Sequence, residues 1–180
     1  FLSVELIHDL AKNIEFSLIE PIFKQVIDYN TAIAKEGLSN YYGLSIGKLM
    51  KEGMEEGVYG NDLRNNMASF ASAGSDARMN GCSLPVMTTS GSGNQGMTCS
   101  LPVIKFCELK NIPYEQLIRG LFFSHMTTIH IKSNIGRLSA YCGAVCASGG
   151  VAGAISFLSG FSPAQIDSAI ETTLATLSGV

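Results

Sequence analysis

The stretch Leu84-Pro85-Val86-Met87-Thr88-Thr89-Ser90-Gly91-Ser92-Gly93-Asn94-Gln95-Gly96-Met97-Thr98-Cys99-Ser100-Leu101-Pro102-Val103 decides between two architectures. Gly91 to Gly96 is a literal GxGxxG. A dinucleotide-binding turn of that form needs a strand before it, a helix after it and an acidic residue about twenty residues further on. Leu84–Thr89 offers a weak strand pattern, and Glu115 lies near the required distance. Against this, Pro102 interrupts the helix that should follow, and no second strand pattern appears before Tyr114. A βαβ unit is therefore poorly supported. Two other readings stay open: a glycine-rich turn with only a packing role, and a loop at a helix N-terminus whose N–H groups hold an anion such as a substrate carboxylate.

Between Met79 and Ile104 there is no charged side chain. An exposed loop of that length normally carries Lys or Glu, so the segment is expected to be buried. Buried hydroxyls, amides and backbone N–H groups need partners, and part of that partner is expected to be a ligand. Ser90, Gly91, Ser92, Gly93, Asn94, Gln95 and Gly96 are the candidate substrate-binding residues.

Helix signals dominate the flanks. Ser17-Leu18-Ile19-Glu20 has the form of a capping box with Pro21 in the first turn, and Ile19, Ile22, Phe23, Val26, Ile27 and Ile33 follow as one stripe that Gly37 is expected to end. A shorter helix over Ser3–Lys12 precedes it. Helices are also predicted over Asn61–Met79, from Tyr114 to about Asn134, and over residues 138–160. A last one starts at Ser162-Pro163-Ala164-Gln165, again as a capping box with Pro at the first helical position. No linker divides the chain and no repeat of fixed period appears. The expectation is all-α: residues 1–180 as a single compact multi-helix domain around a glycine-rich site loop.

Composition narrows the function. The chain has 180 residues, 46% apolar, a net charge of −3 and no Trp. Its Lys and Arg residues form no basic patch, and aromatics for base stacking are few, so nucleic acid is excluded as a partner. A second uncharged stretch, Leu138 to Ile166, is long enough to raise a membrane span. It is too rich in Gly and Ser, and lacks the flanking aromatic belt and Lys/Arg asymmetry of a real span, so a buried helix is expected and no membrane contact. Five cysteines without a secretory signal point to reduced thiols and a cytoplasmic protein. The chain opens on Phe1 and stops at Val180 inside a Ser-Gly-Val run, and is expected to be a piece of a longer protein.

In the second constellation Cys142 and Cys146 lie one helical turn apart, within reach of a common metal. A lone C-x3-C on an apolar helix is more often two small buried hydrophobes, and Cys99 and Cys107 admit the same reading. His125 lies on the apolar stripe of its helix and reads as a core histidine. Lys132 and Arg137 bracket Ser133-Asn134-Ile135-Gly136 beside Cys142, and two cations there suit an anionic ligand or a negatively charged cluster.

Asp76-Ala77-Arg78-Met79-Asn80-Gly81-Cys82-Ser83-Leu84-Pro85-Val86, with Ser90 to Gly96 and with Ile131-Lys132-Ser133-Asn134-Ile135-Gly136-Arg137-Leu138-Ser139-Ala140-Tyr141-Cys142, resembles the L-cysteine desulfidase branch of the iron–sulfur L-serine dehydratase α-chain family. The resemblance extends over essentially the whole chain. It implies a lyase with a [4Fe–4S] cluster held by three cysteines, whose open iron acts as a Lewis acid on the β-substituent. L-Cysteine or L-serine would yield pyruvate and ammonia, with sulfide or water. It further implies Cys142 as one cluster ligand, Lys132 and Arg137 as electrostatic residues, a small amino-acid substrate and a homo-oligomer. The other two ligands and the base would lie outside these residues, so the chain alone is expected to hold no stable cluster and turn over no substrate. An inactive member that only binds an amino acid or partner, and the dinucleotide reading, are the alternatives.

Overall fold

A computed structural model describes residues 2–136 and 141–178. Among them are eight helices and no strand: α1 (Val4–Asn13), α2 (Phe16–Ser39), α3 (Ile46–Glu55), α4 (Leu63–Met79), α5 (Gly93–Lys110), α6 (Tyr114–Ile135), α7 (Gly143–Leu158) and α8 (Pro163–Ser178). The all-α, multi-helix expectation holds. The strand expected at Leu84–Thr89 does not form; the only pairing there is an isolated bridge between Thr89 and Ser92. With Pro85 in the segment and no neighbouring strand, its backbone has no ladder to join.

The helix starts follow local chemistry where it is strong. Ser3 accepts a bond from the Leu6 N–H and opens α1. At α8 the capping box closes in both directions, with Ser162 N–H donating to Gln165 Oε1 at 3.0 Å and Gln165 N–H to Ser162 Oγ at 3.4 Å. Ser17, by contrast, caps nothing. The cap of α2 is Glu15, and the Ser17 hydroxyl donates to the Glu15 carboxylate from inside the first turn. Starting earlier lets Phe16 join the helix and meet Tyr114 edge-on, with ring centroids 6.4 Å apart. Gly37 likewise does not end α2, which continues to Ser39. Its missing side chain serves packing instead, because a Cβ there would overlap the Ala73 carbonyl of α4.

Helix α5 lies at the centre, packed against α2, α4, α6 and α7. Met97, Cys99, Leu101 and Val103 are fully buried, and Pro102 lies within the helix rather than breaking it. Proline there forfeits one backbone bond to Thr98. Burial on several faces at once outweighs that loss, since each apolar side chain taken from water contributes about 1.5–3 kcal/mol. Helix α7 packs closely on α6 through Gly150, where a Cβ would overlap the Thr128 hydroxyl. It begins at Gly143, later than the expected 138, so Cys142 is its N-cap rather than a residue of its first turn. Helix α3 had no counterpart in the sequence reading: it carries Gly47 and Gly53, and follows Ser45 in the left-handed region at φ 49°. No helix among the described residues is long and apolar enough to cross a membrane.

Candidate functional site

The uncharged segment divides in two. Gly81, Ser83, Leu84, Pro85 and Thr88 are exposed, which corrects the expectation of burial throughout. Gly93, Gln95, Gly96 and Met97 are buried. The exposed half nonetheless runs over a polar anchor. Asn30 of α2, fully buried, accepts from the Met87 N–H at 2.9 Å and donates to Ser100 Oγ at 2.9 Å. Ser100 in turn donates to the Gly96 carbonyl at 2.8 Å. Gly96 is required by this closeness, since a Cβ would overlap the Met87 carbonyl.

Between Thr89 and Ser92 the chain makes a tight turn. Thr89 N–H donates to the Ser92 carbonyl at 3.2 Å and Ser92 N–H to the Thr89 carbonyl at 3.1 Å. The two central residues have positive φ, 49° at Ser90 and 82° at Gly91, the combination of a type I′ turn. Ser92 then caps α5, its hydroxyl accepting from the Gln95 N–H at 3.3 Å. The GxGxxG is thus a turn and a helix start without strand or βαβ unit, and the dinucleotide reading fails on that ground.

The candidate residues take distinct places. Asn94 turns toward α4, accepting from Arg78 at 3.0 Å and donating to the Met79 sulfur at 3.2 Å. Gln95, 1% exposed, faces α7: a Cβ on Gly143 would overlap its Oε1, and its Nε2 has no hydrogen-bond partner. The first turns of α5 and α7 therefore meet, and α7 has no side-chain cap. Helix N-termini carry partial positive charge and first-turn N–H groups that helical bonding leaves over. Ser90 and Lys132 line one cleft of about 370 Å³ with Ile129, Ser133 and Gly136. Lys132 is 8% exposed, and its ammonium acts on the nearby Cys146 thiol, whose pKa burial raises and Lys132 lowers. Cys142 is exposed and Cys146 buried. Arg137 lies outside the described residues.

Beneath the turn is a buried polar set built around His125 and Cys99, the two members expected in the core. Thr89 Oγ1 lies 2.8 Å from His125 Nδ1 and 3.5 Å from Cys99 Sγ. The Cys99 thiol donates to the Gly96 carbonyl at 3.3 Å, and Ser124 Oγ donates to the Cys99 carbonyl at 2.6 Å. Burial pushes Cys99 up to about 12 and His125 down to about 4, so both are neutral near pH 7. His125 is a core histidine, edge-on to Phe23 at 5.2 Å, but an incompletely satisfied one: Nε2 has no hydrogen-bond partner. Thr89 and His125 are 36 residues apart, and nothing local in the sequence links them.

Among the described residues, no three His, Cys, Asp or Glu side chains approach closely enough to hold a metal ion. Three thiolates are needed to hold a [4Fe–4S] cluster with one iron open. Of the five cysteines only Cys142 is exposed, so the described residues do not by themselves fit a cluster.

Comparison with known proteins supplies the family. The family described as serine dehydratase alpha chain matches residues 3–180, and the chain belongs to it. The chain is 64% identical over 179 residues to UPF0597 protein FN1147 of Fusobacterium nucleatum, covering 99% of this chain and 42% of that protein. A UPF0597 protein of Lachnoclostridium phytofermentans is 48% identical over 179 residues, with coverage of 99% and 42%. One from Desulfitobacterium hafniense is 41% identical over 179 residues, with coverage of 99% and 40%. The chain thus spans about two fifths of the length of the curated relatives it matches. No solved structure matches it.

Proposed function

We propose that this chain is the substrate-holding part of a β-eliminating lyase that acts on L-cysteine or L-serine. Loss of the α-proton and of the β-substituent, as hydrogen sulfide or water, leaves 2-aminoacrylate. That product tautomerises to an imine, and water hydrolyses it to pyruvate and ammonia. The observation that carries the reading is the meeting of Gln95 and Gly143, which joins two helix N-termini in a chain of the serine dehydratase alpha chain family.

Such a junction suits the substrate carboxylate. Two positive helix ends and a carboxamide with an unused N–H donor attract an anion without bringing in a counter-charge that titrates. Lys132 on α6 adds a cation in the cleft that Ser90 lines, and the Ser90 turn leads through Ser92 into the first turn of α5. Compensating the carboxylate charge makes the α-proton easier to remove, because the carbanion formed next to it is less repelled. In this reading Ser90, Gly91, Ser92, Gly93 and Gly96 shape the loop, while Gln95 rather than Asn94 touches substrate. Cys142 is the thiol this chain offers to a [4Fe–4S] cluster, with the remaining ligands and the base contributed from elsewhere in the protein.

The test uses the complete gene product that carries this sequence, purified without oxygen. Sulfide, ammonia and pyruvate are measured after addition of L-cysteine, and ammonia and pyruvate after L-serine. Product from either is expected, with activity and bound iron both lost in Cys142→Ala. Absence of product from both amino acids would overturn the lyase reading and leave a binding protein without turnover.

A further inference from the structure

The Ser90–Gly91 turn is an unfavourable conformation held over the Lys132 cleft. Ser90 is in the left-handed region, which non-glycine residues visit at a cost, and it is the loop residue that lines the cleft. Its own turn provides only the two reciprocal backbone bonds between Thr89 and Ser92. The anchor comes from below. Thr89 is 4% exposed, and its hydroxyl meets the His125 imidazole at 2.8 Å inside the core. His125 is itself immobilised, 8% exposed on a central helix and packed edge-on to Phe23.

We propose that His125 and Thr89 form a positioning pair: the imidazole holds the Thr89 hydroxyl from within the core and so sets the Ser90–Gly91 turn over the cleft, tuning ligand affinity from a residue that no ligand touches. The inference rests on the lyase reading, with this cleft as the part of the substrate site that adjoins the Gln95–Gly143 junction through the Ser90–Ser92 loop. A neutral imidazole suits the role. Its charge does not change near neutral pH, and the Thr89 hydroxyl serves either ring tautomer, donating to a bare Nδ1 or accepting from a protonated one. A Lys or Glu in that place would need a buried counter-ion.

Two substitutions and two readouts separate positioning from mere structure. Thr89→Val keeps the shape and removes the hydroxyl; Thr89→Ser keeps the hydroxyl. In the complete protein, Thr89→Val is expected to raise KM for L-cysteine by about tenfold with a much smaller change in kcat, and Thr89→Ser to restore KM to within about twofold. Independently of turnover, the His125 Nδ1 resonance in ¹⁵N spectra of labelled histidine should shift in Thr89→Val and return to its wild-type position in Thr89→Ser. Hydrogen exchange of the Thr89 and Ser92 amides should quicken in Thr89→Val while the helical amides keep their protection. Unchanged exchange at those two amides, or an Nδ1 resonance unmoved in Thr89→Val, would overturn the pair whether or not the protein is a lyase. Absence of product from the wild type with the expected exchange and ¹⁵N results would instead sink the lyase reading and leave the pair standing.

Discussion

His125 is costly to the native state in acid, and the sign of that cost is a test at the residue scale. Burial lowers its pKa to about 4, against the ordinary value of 6.5. Between those two values the unfolded chain takes up a proton that the folded chain refuses. Stability therefore falls as pH drops from about 6.5 to about 4 and stops falling from this source below that. The shift sets a ceiling of about 3 kcal/mol on the loss. Carboxylates titrate in the same window, so the comparison that isolates His125 is wild type against His125→Asn. Urea unfolding at pH 7.5, 6 and 5 should show a shallower decline in the variant. Equal slopes would mean that the imidazole is reached by protons in the folded state.

At the scale of elements, the site is a matter of how closely helices and loop approach one another. Gly96 and Gly143 mark the two contacts, and their neighbours differ in the freedom to yield. A methyl on Gly96 would meet the Met87 carbonyl, part of a backbone that Asn30 holds from both sides. A methyl on Gly143 would meet the end of the Gln95 side chain, which can rotate away. Gly96→Ala is therefore expected to destabilise the fold by about 1–3 kcal/mol or more. Gly143→Ala should cost less stability but weaken substrate binding, because Gln95 is displaced from the junction. Urea midpoints at constant slope measure the first effect and KM measures the second. A larger stability loss in Gly143→Ala than in Gly96→Ala would show that the α5–α7 contact, not the loop contact, is the rigid one.

The whole molecule sorts its five cysteines by depth. Cys142 is exposed, Cys82 half-buried, and Cys99, Cys107 and Cys146 are buried. Desolvation pushes Cys99 and Cys107 up to about 12 and raises Cys146, so these three are poor nucleophiles as well as inaccessible ones. With any cluster removed, labelling by an aromatic disulfide reagent should find one fast and one slow thiol among these five. The other three should react only at the rate of unfolding, with peptide mass spectrometry assigning the fast one to Cys142. A fast reaction at Cys146 would contradict the packing of α7 on its neighbours.

The sequence by itself determined the all-helical class, and the bounds of α1, α4 and α6 and the start of α8 to within a residue or two. These depend on short-range physics: apolar stripes at helical spacing, and a Ser162–Gln165 box whose partners are three residues apart. Where several local signals competed, only tertiary structure decided. Pro102 stays within α5 because that helix is packed against four others, and Ser17 yields the cap to Glu15 because Phe16 finds Tyr114. The strand pattern at Leu84–Thr89 comes to nothing because no second strand lies beside it. The division of labour inside the glycine-rich segment was equally out of reach. Gln95 meets Gly143, Asn94 meets Arg78 and Thr89 meets His125 through contacts spanning 16 to 48 residues of chain, a span read directly from their numbers. Such contacts arise when helices close on one another, and a one-dimensional pattern carries no term for that geometry.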